Sequence, residues 1–149
     1  MIKKILVTGG SGFIGSAITK YLVSCGHKVV VFDNNSRGRI RRLKNIKNKI
    51  NFYKGDIRDF KKLNSIPGKF DCVVHLAYVN GTKHFYKKPF EILDIAVGGL
   101  LNILKFCKSK KVDSFYLASS SEVYQNPNKF PTDEKEMLKI PDIHNPRYS

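Results

Sequence analysis

The chain has 149 residues, 42% of them hydrophobic and 26% charged. That composition predicts one globular domain with a core large enough to fold alone, and excludes a disordered chain. The apolar run in "MIKKILV" stops at Val7, too short for a signal peptide, and no stretch approaches the ~18 apolar residues of a membrane span. The expectation is therefore a cytoplasmic protein with no membrane partner.

A net charge of +15 raises nucleic acid as a partner. The lysines are spread along the whole chain without the interleaved aromatics of a stacking platform, so no nucleic-acid partner is expected. Cys25, Cys72 and Cys107 stand far apart within apolar patterns and read as three buried thiols in a reducing compartment. The four histidines show no metal-ligand spacing, and no metal site is expected.

In chain order, β-branched runs alternate with helical patterns, which predicts parallel βαβ units. Ile5 to Val7 make a first strand. From Phe13 to Cys25 the apolar residues Phe13, Ile14, Ala17, Ile18, Tyr21, Leu22 and Cys25 fall on one face of a helix, which Gly26 ends. Val29 to Phe32 form a second strand, apolar throughout as a strand buried on both faces should be. The basic stretch "NSRGRIRRLKNIKNK" predicts a loop and a short exposed helix. "INFYKGDI" gives a third strand ending near Asp56, and "RDFKKLNSI" a short helix closed by Pro67 and Gly68.

"DCVVHLA" is a fourth strand. Pro89 suits the first turn of a long helix with Phe90, Leu93, Val97, Leu100, Leu101 and Leu104 on one side. Gly98 and Gly99 within it each cost about 1 kcal/mol relative to alanine, tolerable if the helix packs very closely there. "SFYLASSS" is a fifth strand with a hydroxyl-rich end. Beyond Tyr124 the periodicity fades, so residues 1–124 read as the folded domain and 125–149 as an irregular, functional loop.

Three glycines, Gly9, Gly12 and Gly15, follow the first strand and open a helix. In that context the first permits a tight turn, the second lets the backbone approach a pyrophosphate, and the third lets helix and strand pack closely. Amide N–H groups and the positive end of the helix dipole then face the anion. Asp33 follows Gly15 by eighteen residues, at the end of the second strand. A carboxylate there accepts both hydroxyls of an adenosine ribose and repels a 2′-phosphate, so NAD is favoured over NADP, although Arg37 nearby weakens that preference.

"TGGSGFIG", Asp33, "GDI" at 55–57, "HLA" at 75–77 and "SSSEVY" at 119–124 occur together and in order. The combination resembles the extended short-chain dehydrogenase/reductase family, specifically its NAD-dependent nucleotide-sugar epimerases and dehydratases. The resemblance implies an α/β fold with a Rossmann-type doubly wound parallel sheet of about five strands, here without the later strands and the substrate lobe. It implies cofactor contacts from Gly9, Gly12, Phe13, Ile14, Gly15, Asp33, Asn34, Asp56, Ile57, Leu76, Ala77 and Ser119. Asp56 and Ile57 would border the adenine, with Leu76 and Ala77 lining the dinucleotide past the fourth strand.

The same resemblance implies that Ser120 hydrogen-bonds the reacting sugar hydroxyl. Glu122 matches the glutamate of dehydratase- and decarboxylase-like members and is the candidate for acid/base work after the sugar is oxidised. The family's main catalyst is a tyrosine with a lysine four residues on, and no Tyr-x-x-x-Lys follows the fifth strand here. Tyr124 belongs to the "VY" motif, and "NPRYS" resembles the approach to the missing one, with Tyr148 as the preceding aromatic. Gln125 and Ala96 depart from the family's usual glycine and asparagine.

The expectation is the NAD-binding part of an enzyme acting on a nucleotide-sugar by transient hydride transfer, not catalytic on its own. The long helix after Pro89 is the candidate surface for a homodimer. Two alternatives stand beside this reading: an NAD-binding module without chemistry, and a basic nucleic-acid-binding domain whose affinity falls steeply with salt.

Overall fold

Successive side chains of a strand point to opposite faces of its sheet, so runs such as Lys4–Thr8 and Lys28–Asp33, which hold three and four consecutive apolar residues, must be covered on both sides. A computed structural model, which describes residues 1–79 and 81–139, shows how this is met. Five parallel strands form one sheet: β1 (Lys4–Thr8), β2 (Lys28–Asp33), β3 (Ile50–Lys54), β4 (Cys72–His75) and β5 (Ser114–Leu117), in the order β3-β2-β1-β4-β5. The register aligns Thr8 with Phe32 and with His75, and His75 with Leu117, so the C-terminal ends of the four strands lie level.

The helices are α1 (Phe13–Ser24), α2 (Phe60–Asn64), α3 (Thr82–Lys87), α4 (Pro89–Leu93) and α5 (Gly99–Lys110). A 3₁₀ segment spans Ile40–Lys49, and a π-helical turn, Asp94–Gly98, joins α4 to α5. The expected long helix therefore exists but is interrupted at its middle. The short helix of the basic stretch is the 3₁₀ segment, anchored by its buried Leu43. α3 is an addition to the expected elements, and the third strand ends at Lys54, two residues short of Asp56.

One core cluster packs Leu6, Val30, Phe32 and Val73 of the sheet against Leu63, Ile95, Ile103 and Phe106; the other sets Ile5, Val7, Val29 and Val31 against Leu43. Two helices bury a face other than the apolar one read from sequence. In α1 the buried residues are Gly15, Ser16 and Thr19, while Phe13, Ile14, Ala17, Tyr21 and Cys25 are exposed. In α4 and α5 the buried residues are Ile92, Gly99, Ile103 and Phe106, whereas Phe90, Leu93, Val97, Leu101 and Leu104 stand in solvent.

Close approach explains both. A Cβ on Gly15 would overlap the Gly9 carbonyl oxygen, and one on Gly99 would overlap the Ile57 side chain, so in each case the contact face is the one that carries a glycine at the point of closest approach. The predicted burial of all three cysteines is corrected likewise: Cys72 is buried, Cys107 half-buried and Cys25 exposed, all three free. After β5, Ser121–Tyr124 form a single 3₁₀ turn and residues 125–139 carry no helix or strand. The "NPRYS" tail, with Tyr148, lies outside the described residues.

Candidate functional site

The level strand ends create a common edge from which four loops emerge. The loop after β1 turns at Gly9, whose φ of +70° is disfavoured for residues with a side chain. Its missing Cβ also matters, because one there would lie 2.8 Å from the Ala77 backbone nitrogen. The loop is tied to its neighbours by Gly9 N–H donating to Phe32 O (2.9 Å) and by Gly12 N–H donating to Gly9 O (3.0 Å).

Thr8 and His75 lock the loops after β1 and β4 together. The Thr8 hydroxyl lies 2.7 Å from His75 Nδ1 and accepts the amide hydrogens of Leu76 (3.2 Å) and Ala77 (3.3 Å). With its lone pairs so used, the hydroxyl donates to Nδ1, which assigns the imidazole proton to Nε2. Burial pushes the His75 pKa down to about 4, keeping the ring neutral as this arrangement requires.

At the end of β2, Asp33 is only 7% exposed. Its Oδ2 accepts the Ser11 amide (2.9 Å) and its Oδ1 the Asn35 amide (2.7 Å), which fixes the carboxylate's orientation. Past β3, Asp56 accepts from Arg58 (N–H 2.9 Å, Nε 3.0 Å, Nη2 3.0 Å) and from Asn34 Nδ2 (3.1 Å). The Arg58 hydrogen bonds hold its carboxyl down at about 2 against the opposing effect of burial. Arg58 also reaches Asp94 on the π-helical turn (3.1 Å), and the pair of carboxylates raises its own pKa. Asn102 of α5 donates to the carbonyls of Ile57 (3.1 Å) and Arg58 (2.8 Å).

These loops enclose a cavity of about 320 Å³, within the range of small-molecule sites. Gly9, Gly12, Asp33, Asn34, Asp56, Ile57, Leu76 and Ala77, all singled out from sequence, line it. Phe13, Ile14 and Gly15 do not: the first two are exposed at the start of α1, and Gly15 is buried against Gly9. Ser119, Ser120 and Glu122 also lie outside its wall, beyond β5 at the same edge of the sheet. Ser119 and Ser120 are exposed, and Ser120 Oγ accepts the Glu122 amide (3.3 Å) to start the 3₁₀ turn. The Glu122 charge adds to burial in raising the pKa of Tyr78, so this end of β5 lies near the cavity's Tyr78 wall.

The cavity also has walls that the sequence reading does not assign: Ser36, Arg37 and Gly38 after β2, Gly55 and Arg58 after β3, and His84 and Lys88 around α3. Of these, Arg37 enters that reading for its charge near Asp33, and Gly55 only as the first residue of "GDI". The place of Arg58 one residue past "GDI" is a local signal, but nothing in its neighbourhood signals Asp94, thirty-six positions on.

A parallel sheet with a glycine loop at the end of its central strand and an acidic residue at the end of the next defines a dinucleotide-binding class of fold. The match with known proteins is consistent with this: residues 5–149 fit the NAD dependent epimerase/dehydratase family, and the chain belongs to it. It is 37% identical over 139 residues to a UDP-glucose 4-epimerase of Neisseria meningitidis serogroup B, covering 89% of this chain and 41% of the relative. It is 36% identical over 125 residues to a UDP-N-acetyl-alpha-D-glucosaminuronate decarboxylase of Bacillus cytotoxicus, covering 83% and 38%. Among solved structures, UDP-glucose 4-epimerase from Bifidobacterium longum in complex with NAD+ and UDP superposes with a TM-score of 0.84 at 29% identity, over 91% of this chain and 42% of that one. The chain thus spans about two fifths of the length of these relatives.

Among the described residues no helix is long and apolar enough to cross a membrane, and no cluster of histidine, cysteine or acidic residues could hold a metal ion.

Proposed function

We propose that these 149 residues are the NAD-binding part of a nucleotide-sugar epimerase or dehydratase, and that they do not turn over substrate by themselves. The observation that carries this reading is the Asp33 carboxylate, held by the Ser11 and Asn35 amides at a cavity that Gly9 and Gly12 also line. A glycine-rich loop at a helix N-terminus suits a pyrophosphate, and an oriented carboxylate one strand away suits a ribose diol. That donor and acceptor set fits NAD and opposes the 2′-phosphate of NADP.

When bound, NAD supplies a hydride acceptor and donor at its nicotinamide. The protein's part is to bind and orient it. Gly9 and Gly12 would hold the pyrophosphate at the start of α1, with Phe13 and Ile14 beside it, while Gly15 lets that helix pack against the glycine loop. Asp33 takes the adenosine ribose; Asn34, Asp56 and Ile57 border the adenine; Leu76, Ala77 and Ser119 line the path toward the nicotinamide. In an enzyme that also carries the tyrosine and lysine, Ser120 would hydrogen-bond the reacting sugar hydroxyl and Glu122 would be placed for acid/base work on the oxidised sugar. Residues 1–124 carry the cofactor and 125–149 lead toward the segment that bears the family's tyrosine and lysine.

Two further parts of the proposal concern partners and place. A nucleotide-sugar is the substrate of the longer enzyme. The exposed apolar stripe Phe90, Leu93, Val97, Leu101 and Leu104 is the face through which two copies pair, in a cytoplasmic protein without nucleic-acid or membrane partners.

Titration calorimetry with NAD and NADP tests the reading: heat with NAD and little with NADP is expected, and no heat with either overturns it. Turnover of a UDP-, GDP- or dTDP-sugar by these 149 residues would overturn the proposal that they lack chemistry.

A further inference from the structure

The opposite edge of the sheet, where β1, β2 and β3 begin, carries a second cavity. It is a groove of about 440 Å³, a size that suits a small molecule. The register pairs Lys4 with Lys28 and Val30 with Asn51, and Lys28 and Val30 are two residues apart, so all four side chains lie on one face of the sheet. On that face Val30 and Phe32 are buried in the core, but Lys28 and Asn51 are exposed. The covering layer therefore ends here. What it leaves open is a groove with buried Val30 in its wall and polar side chains around it.

Those polar side chains are His27, Lys28, Asn48, Lys49 and Asn51, beside Lys4. The Lys4 ammonium is already engaged, donating to the Pro67 carbonyl (3.0 Å) and lying 4.6 Å from the Phe70 ring centroid. The ammonium groups of Lys28 and Lys49 have no ion pair or hydrogen bond among the described residues. His27 Nδ1 accepts the Lys3 amide (3.2 Å), which leaves Nε2–H as the donor of the neutral ring. No carboxylate opposes these donors. Asp33 is the only acidic residue among residues 1–55, and it stands at the far end of β2. Asp71, on the other side of β1, has its Oδ2 taken by the Lys4 amide (2.6 Å). We propose that this groove is a binding site for a phosphorylated small molecule, separate from the cavity at the C-terminal strand ends. Lysine point charges suit the several oxygens of a phosphate, whereas a planar carboxylate is better matched by arginine, which the groove lacks. The apolar wall suits the ligand's organic part. The site is independent of the NAD reading above.

Titration of the 149-residue chain with inorganic pyrophosphate, followed by backbone amide chemical shifts, reads the two ends of the sheet separately. Saturable shifts are expected at His27, Lys28, Asn48 and Asn51, whatever happens at Gly9 and Gly12. Lys28→Gln combined with Lys49→Gln is expected to weaken the binding read at His27 and Asn51 about tenfold, the loss of two solvated charge contacts. Both positions are exposed, so the fold tolerates the change. Lys129→Gln combined with Lys135→Gln, at exposed positions past β5, lowers the net charge equally and is expected to leave that binding unchanged. Shifts confined to Gly9 and Gly12, or no shifts at all, would overturn the second site. An equal loss in both pairs of variants would mean attraction by net charge alone and would overturn it too.

Discussion

Acidification should destabilise this protein through His75 before it does so through its carboxylates. The ring is 6% exposed, stacked against Phe115 with centroids 6.4 Å apart, and it accepts the Thr8 hydroxyl proton on Nδ1. A second proton cannot be added without breaking that bond. Burial lowers the pKa in the folded chain from 6.5 to about 4, while an unfolded chain keeps the ordinary value. The unfolded state therefore takes up a proton as pH falls below 6.5 and the folded state does not. Stability is full above that value, declines by about 1.4 kcal/mol per pH unit, and levels off near pH 4, a total of about 3 kcal/mol. Asp56, held down at about 2, behaves differently: its contribution persists until the pH drops below its ordinary value of 3.8 and is lost toward 2. The two windows are thus separate. Urea unfolding of the parent chain and of His75→Asn, in steps from pH 7.5 to 4.5, isolates the first. The variant is expected to start less stable but to show a much flatter profile. Equal slopes in the two proteins would refute both the neutral ring and the hydrogen-bond assignment.

Other outcomes follow from particular contacts. Asp33→Asn removes the charge that accepts the ribose hydroxyls, and calorimetry should show NAD binding weakened by about ten- to a hundredfold, the scale of one or two charge-assisted bonds. Thr19 is fully buried and its Oγ1 has no hydrogen-bond partner among the described residues, so Thr19→Val should raise stability by about 1 kcal/mol, a few degrees in Tm. Gly99→Ala forces a methyl group into Ile57, and denaturant unfolding should show a loss of about 1–3 kcal/mol. Leu101→Glu, on the exposed stripe, should leave the Tm within about 2 °C while lowering the sedimentation mass of any dimer; a large fall in Tm would mean that this face is part of the core after all.

The sheet was legible because its strands carry short apolar, β-branched or aromatic runs and are separated by helix-length intervals. The glycine loop was legible because three glycines followed by a helical pattern have few other uses. Which face each helix buries was not. α5 carries apolar residues on more than one side and α1 carries its apolar stripe away from its small residues, and hydrophobicity alone favours the larger stripe in each. Packing at closest approach favours the side that holds the glycine: Gly15, with Ser16 and Thr19, in α1, and Gly99, with Ile103 and Phe106, in α5. α3 escapes a sequence reading because "TKHFYK" is short and mostly polar, with no sustained apolar period. The site was readable as far as its residues sit at strand ends. Its remaining walls, Gly38 over Asp33 and Arg58 between Asp56 and Asp94, depend on chain segments meeting in space, which no local pattern records.

Gly99 settles a question of rotation. Residues 92, 99, 103 and 106 and residues 90, 93, 97, 101 and 104 mark nearly opposite sides of one helical path, so turning that path by half a revolution would exchange one greasy surface for another. Hydrophobic burial alone would barely distinguish the two settings. A missing side chain does, because it leaves a notch on one side only, and Ile57 fits into that notch like a key into a slot. The helix is thus indexed by an absence, and the apolar side left outside is fixed by the same residue that fixes the side within.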